Sequence, residues 1–249
     1  MARRPIVLAL VVALTSMGWV GTSRGQIPDT FKNLKILPKD IPKAELVSVM
    51  RSFAGSLGVR CGHCHVGENA ATLEGFDFAS DDKEPKRIAR VMMSMVQEIN
   101  QEEIPKTEIK DPVQVRCITC HRGVQKPRTL DEVLRATIEK EGVPAAQKQY
   151  RELRGQYYGS GSYDFSPGPV NMVAEGLAFQ KKDYDAAIAL LGLNVEFHPT
   201  VGYTHNLLGR IHEAKGDTPA AIASYRKALE LDPKDSRTRQ LLEKLEGKK

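Results

Sequence analysis

The sequence predicts an all-α protein, a small helix-and-loop module followed by a stacked helical repeat array. Two observations carry this. Apolar residues recur at helical spacing over 42–57 and 85–101, each stretch leading to a Cys-x-x-Cys-His pentapeptide, and the C-terminal third repeats with a 34-residue period. The 249 residues, 41% apolar and 27% charged, suffice for one large or two modest domains and are too apolar for overall disorder.

Residues 1–25 read as a secretory signal peptide. Arg3 and Arg4 precede an apolar run from Ile6 to about Val20, then the small residues Gly21, Thr22, Ser23 and Gly25. The run is ~15 residues where a bilayer span needs ~20, which favours cleavage after Gly25 over an uncleaved anchor. The expected mature protein is exported, periplasmic and soluble, with membrane association only where the leader is retained. No cysteine precedes Cys61, so a lipid-anchored N-terminus has no support.

All four cysteines and three of the six histidines fall in Cys61-Gly62-His63-Cys64-His65 and Cys117-Ile118-Thr119-Cys120-His121. Each pentapeptide offers two thiols one helical turn apart for thioether bonds to haem vinyl groups, and a histidine beneath the iron. The expected cofactors are two covalently attached haems c, with His65 and His121 as proximal ligands. One structural zinc, a redox dithiol or disulfides would use the same cysteines. None of these requires a histidine after each second cysteine, and both motifs have one. His63 is too tightly tethered to cross to the far face of the same iron and reads as an exposed residue.

Iron with histidine on one face takes a second ligand, and methionine sulfur gives a stable electron-transfer centre of higher potential. Leu46, Met50, Phe53 and Leu57 form an i, i+4, i+7, i+11 stripe that Gly58 ends just before Cys61. Ile88, Met92, Met95, Val96 and Ile99 form a second stripe, with Met93 turned roughly 100° away as packing. Met50 and Met92 are the candidate sixth ligands, with Met95 the alternative to Met92. A methionine on such a stripe is otherwise core filler.

From these residues the chain resembles the cytochrome subunit of photosynthetic reaction centres, whose haem units run from a methionine-bearing helix through a loop to CxxCH. The match is strongest in Ala89-Arg90-Val91-Met92-Met93-Ser94-Met95, Ile99-Asn100 and Val115-Arg116-Cys117-Ile118-Thr119-Cys120-His121-Arg122-Gly123. The resemblance implies that the first methionine of the MxxM pair ligates iron, which favours Met92. It covers about residues 30–125; the first unit fits more loosely, with Val47 three before Met50. The family has four haems where this chain has two CxxCH motifs, so fold and electron carriage transfer better than service to a photosystem.

In the C-terminal region Asp183, Ala186, Ala187, Ile188, Ala189, Glu196 and Pro199 recur as Asp217, Ala220, Ala221, Ile222, Ala223, Glu230 and Pro233. The period is that of tetratricopeptide repeats, and Leu208, Gly209, Ala221, Tyr225, Ala228 and Pro233 resemble their packing positions. Pro144, Ala145, Ala146 and Tyr150 echo Pro219, Ala220, Ala221 and Tyr225, so 129–157 reads as a preceding helix pair. The expected organisation is a signal peptide at 1–25 and a dihaem cytochrome c domain at 26–125. A degenerate helix pair and loop follow at 126–167, then the repeats with a capping helix at 168–249. His198, His205 and His212 read as solvated or groove-lining rather than as ligands.

The formal charge of +5 includes Arg3, Arg4 and Arg24 of the leader; without them 33 basic residues face 31 acidic ones, and four haem propionates would bring the total to about −2. Nucleic-acid binding is not expected. The function expected is an exported dihaem cytochrome that passes single electrons between redox partner proteins. A membrane-bound electron-transfer complex or a photosynthetic reaction centre is among the partners considered, and the array docks a protein or peptide. The alternatives are a dihaem peroxidase-like enzyme, which needs an open iron, and a redox-sensing adaptor.

Overall fold

The computed structural model describes residues 27–69 and 71–247. The leader expected over 1–25 lies outside them. Every regular element is a helix: α1 Lys43–Leu57, α2 Glu84–Glu98, α3 Cys117–His121, α4 Leu130–Glu141, α5 Val143–Tyr157, α6 Pro167–Glu175, α7 Tyr184–Phe197, α8 Gly202–Lys215, α9 Thr218–Leu231 and α10 Ser236–Leu245. Only two isolated β-bridges, Val66 with Asp77 and Asn69 with Glu74, interrupt the all-α character among the described residues. None of the helices described is long and apolar enough to cross a membrane.

Contacts divide the chain into two compact units, the first holding residues 27–43 and 60–95, the second 44–59 and 96–247. In the first unit Asp81 is a hub. Its carboxylate accepts from Lys35 Nζ (2.8 Å), Asn33 Nδ2 (2.9 Å) and Arg90 (2.8 Å). These donors hold it well below the usual carboxylate range, the Lys35 hydrogen bond contributing most. Lys86 Nζ gathers the carbonyls of Phe78 and Ser80 at 2.9 and 2.6 Å, so polar contacts rather than apolar burial organise this loop. Among the described residues of the first unit, Ile41 is the one apolar residue that is buried.

The second unit carries the apolar core, built from α4 to α8 around Leu134, Tyr150, Val170, Leu190, Leu191 and Ile211. Consecutive helices pack as hairpins, α4 on α5, α6 on α7, α8 on α9, and alternate helices also touch, α4 on α6, α5 on α7, α6 on α8. That is the stacking of a helical repeat array, in which each pair buries its apolar face on the next. The 34-residue period reappears as geometry: Asp183 Oδ1 caps α7 by accepting from Ala186 N at 3.1 Å, and Asp217 Oδ1 caps α9 by accepting from Ala220 N at 3.1 Å. Ala187 and Ala221 are both fully buried, and Ala146 and Tyr150 of α5 are as inaccessible as Ala221 and Tyr225 of α9. Gly209 lies where a Cβ would meet the Tyr225 ring at 2.5 Å, so only glycine lets α8 and α9 approach this closely. α10 is joined to α8 by a buried hydrogen bond from Asn206 Nδ2 to Thr238 Oγ1 at 2.6 Å.

Candidate haem-attachment sites

The first motif begins as a 3-10 turn, Cys61–His63, after the extended Arg60. Lys83 Nζ at the foot of α2 donates to the Gly62 carbonyl. His65 packs edge-on to Phe78 at 5.1 Å between centroids, and its buried Nδ1 has no hydrogen-bond partner. Burial, followed by the charge of Lys86, pushes the imidazole below the usual histidine range, which favours the neutral ring an iron ligand must be.

The second motif is a single helical turn, α3, that places Cys117, Cys120 and His121 on short reach. Arg116 precedes it extended, its N–H donating to Thr119 Oγ1 at 3.0 Å. Arg122 (φ 49°) and Gly123 (φ 86°) then reverse the chain through two left-handed residues. The reversal aims the Val124 carbonyl at His121 Nδ1, 3.0 Å away. A carbonyl only accepts, so Nδ1 carries the proton and Nε2 keeps the lone pair that would bind iron.

Both motifs fit haem better than their rivals. Burial raises the Cys64 and Cys117 thiols above the usual cysteine range, which disfavours the thiolate that a redox dithiol needs. In neither motif do the two sulfurs and the imidazole converge on one point as a single ion would demand; the one such group among the described residues is the exposed Glu98, Glu102 and Glu103. All four cysteines are free. Thiols at a ring edge and a histidine beneath its centre have no need to converge. α2 has no buried residue although its stripe is apolar, with Ile88 52% and Met95 40% exposed, a face that an apolar macrocycle would cover.

Met92, Met95 and the first motif belong to the first unit, Met50 and the second motif to the second. Met50, Met92 and Met93 are each half-buried. α1 joins the second motif through its C-terminus: Gly123 N–H donates to the Ser56 carbonyl at 2.8 Å. Gly58 (φ 66°) there packs so that a Cβ would overlap the Gly123 carbonyl oxygen and lie 3.0 Å from its carbon.

Sequence reasoning assigned no role to Asn100. Helix α2 gives way to a π-helical turn, Ile99–Glu103, where the apolar period had continued the helix to 101. From that turn the Asn100 amide bridges Val115, accepting from its N–H and donating to its carbonyl, both at 2.8 Å. The segment entering Cys117 is thereby fixed, and the joint presence of Ile99-Asn100 and Val115-Arg116 in the resemblance was the available signal. His198, read as solvated or groove-lining, sets Nε2 against the Phe165 carbonyl at 2.8 Å.

Comparison with known families matches residues 15–167 to the photosynthetic reaction centre cytochrome C subunit and residues 202–235 to the tetratricopeptide repeat. No curated protein matches the chain. Among solved structures, the first tetratricopeptide domain of Spaghetti bound to an HSP90 peptide is similar at 18% identity, covering 47% of this chain and 88% of that chain, with a TM-score of 0.32. With more than half of its length matched, and with CxxCH turns built as described, the chain belongs to the photosynthetic reaction centre cytochrome C subunit family and carries a C-terminal tetratricopeptide repeat.

Proposed function

We propose that this protein is an exported dihaem cytochrome that carries single electrons between redox partners, with its repeat array as the surface that docks a partner protein. The observation that supports it most is the pair of CxxCH turns, each placing two thiols and an imidazole on one short turn. In the second, the His121 to Val124 hydrogen bond at 3.0 Å fixes the tautomer. Haem c supplies one-electron Fe(III)/Fe(II) chemistry, and the protein sets its potential through the axial ligands and burial.

Cys61 and Cys64, and Cys117 and Cys120, hold the two porphyrins by thioethers. His65 and His121 would be iron ligands, as would Met50 and Met92, with Met95 the alternative to Met92. The partners are redox proteins, a membrane-bound electron-transfer complex or photosynthetic reaction centre among them, and a protein or peptide in the array groove.

The test is secretion from a host proficient in cytochrome maturation, followed by intact mass and haem quantitation. Two haem masses on a chain lacking residues 1–25 are expected; a colourless product with the bare peptide mass sinks the proposal. Met50→Ala and Met92→Ala are each expected to turn one haem high-spin, and Met95→Ala neither.

A further inference from the structure

The reversal after the second CxxCH is held from two directions. On one side is α1, whose Ser56 carbonyl takes the Gly123 N–H. On the other is the loop between α5 and α6, where Ser162 Oγ donates to the Arg122 carbonyl at 2.5 Å. Ser162 is 8% exposed, unusual for a serine in a loop of glycine and serine. Its backbone N–H donates to Ser160 Oγ at 3.2 Å, and Ser160 Oγ donates to the Tyr157 carbonyl at 2.6 Å, so the turn that carries the hydroxyl is fixed.

The loop takes its position from the repeat array. Phe165 is 5% exposed and stacks edge-on to Tyr150 of α5 at 5.7 Å, and its carbonyl is held by His198 at the end of α7. Tyr163 packs on Tyr157 at 5.4 Å. Between the two tethers, Arg122 adopts a left-handed conformation that a non-glycine residue resists, so its neighbours must impose it. That conformation points the Val124 carbonyl back at His121.

We propose that Ser162 is a positioning residue for the second haem: by holding the Arg122 carbonyl it keeps Val124 on His121 Nδ1 and sets how strongly that imidazole donates to iron. This rests on the reading of Cys117–His121 as a haem c site. A histidine whose N–H is well accepted is a more basic ligand and favours the oxidised iron. Loss of the Ser162 hydroxyl loosens the turn, weakens the acceptor and favours the reduced iron. The array thus reaches the second axial ligand through a hydrogen bond and does not merely trail behind the haem module.

The experiment is a spectroelectrochemical titration of the full-length holoprotein with Ser162→Ala and Ser162→Thr, the two haems distinguished by their paramagnetically shifted proton resonances. In Ser162→Ala the second haem's Fe(II)/Fe(III) ratio at fixed potential is expected to rise by roughly threefold, as for part of one hydrogen bond. The first haem's midpoint stays in place. The His121 ring N–H should also exchange faster with solvent, and Ser162→Thr should restore both readings. Two bound haems with unmoved midpoints, or midpoints that move together, overturn the role of Ser162 and leave the haem reading standing. A wild-type holoprotein without haem at Cys117–His121 overturns both.

Discussion

Replacing Gly58 by alanine tests how α1 and the second motif are joined. At φ 66° an alanine pays about 1–2 kcal/mol for the left-handed conformation alone. Its Cβ would also overlap the Gly123 carbonyl oxygen, which is backbone and cannot rotate aside. Relief requires moving α1 away from Gly123, at the expense of the 2.8 Å hydrogen bond from Gly123 N–H to Ser56, a further ~0.5–1.5 kcal/mol. Together these come to about 1.5–3.5 kcal/mol, or ~3–14 °C in Tm for a unit of this size. Gly55→Ala is the control: a Cβ there meets nothing within 4 Å, and α1 should gain about 0.5–1 kcal/mol. Thermal unfolding of the holoprotein by far-UV circular dichroism reads both. A Gly58→Ala variant melting at or above wild type, with Gly55→Ala stabilised as stated, would refute the reasoning.

Two further outcomes concern the segments that frame the motifs. Asp81, held below the usual carboxylate range, contributes stability that is complete above its unfolded value of about 4 and is lost as pH falls through the lower folded value. Asp81→Asn should therefore melt below wild type at pH 7, with a difference that narrows below pH ~4; a pH-independent difference contradicts this. Asn100→Ala removes both hydrogen bonds to Val115 and should cost about 1–3 kcal/mol in denaturant unfolding. Limited proteolysis should then cut faster between residues 104 and 116, and an unchanged cleavage rate would show that Asn100 does not hold that segment.

How much of this was legible follows from what a sequence pattern records. The stripe Leu46, Met50, Phe53, Leu57 marks α1 because helical period and burial coincide, and Gly58 ends it at Leu57. The 34-residue period shows through because Asp183 and Asp217 each cap a helix locally. The π-helical turn at Ile99–Glu103 was invisible: Ile99 continues the apolar stripe, while the register change coincides with Asn100 reaching fifteen residues ahead to Val115. The cysteines and histidines of the two CxxCH motifs stand out because covalent attachment of haem, under the proposed function, would dictate their spacing. The methionines do not, since a thioether on an apolar stripe looks the same whether it binds iron or fills a core. Ser162 was hidden for another reason: no pattern in a glycine- and serine-rich loop separates one serine from the next, and it is the packing of Phe165 on Tyr150 that seats this loop so that Ser162 is buried.

The two units differ in what stabilises them, and that difference gives a last prediction. The fully buried leucines Leu130, Leu134, Leu190, Leu191, Leu193 and Leu207 all lie in the second unit, each worth about 1.5–3 kcal/mol on burial. The first unit contributes Ile41 to the core and relies on polar contacts around Asp81 and Lys86, which net little each once exposed. A segment of that size without an apolar core requires a covalent or cofactor staple. Under the proposed function haem at Cys61 and Cys64 is that staple, covering the open stripe of α2. A Cys61→Ser/Cys64→Ser chain should then retain slow amide exchange over 130–231 and lose it over 60–95, while Cys117→Ser/Cys120→Ser should leave the array folded. Exchange measured peptide by peptide decides: slow exchange over 60–95 in the Cys61→Ser/Cys64→Ser chain would mean that the polypeptide alone stabilises this unit, and that haem is a guest in it rather than its core.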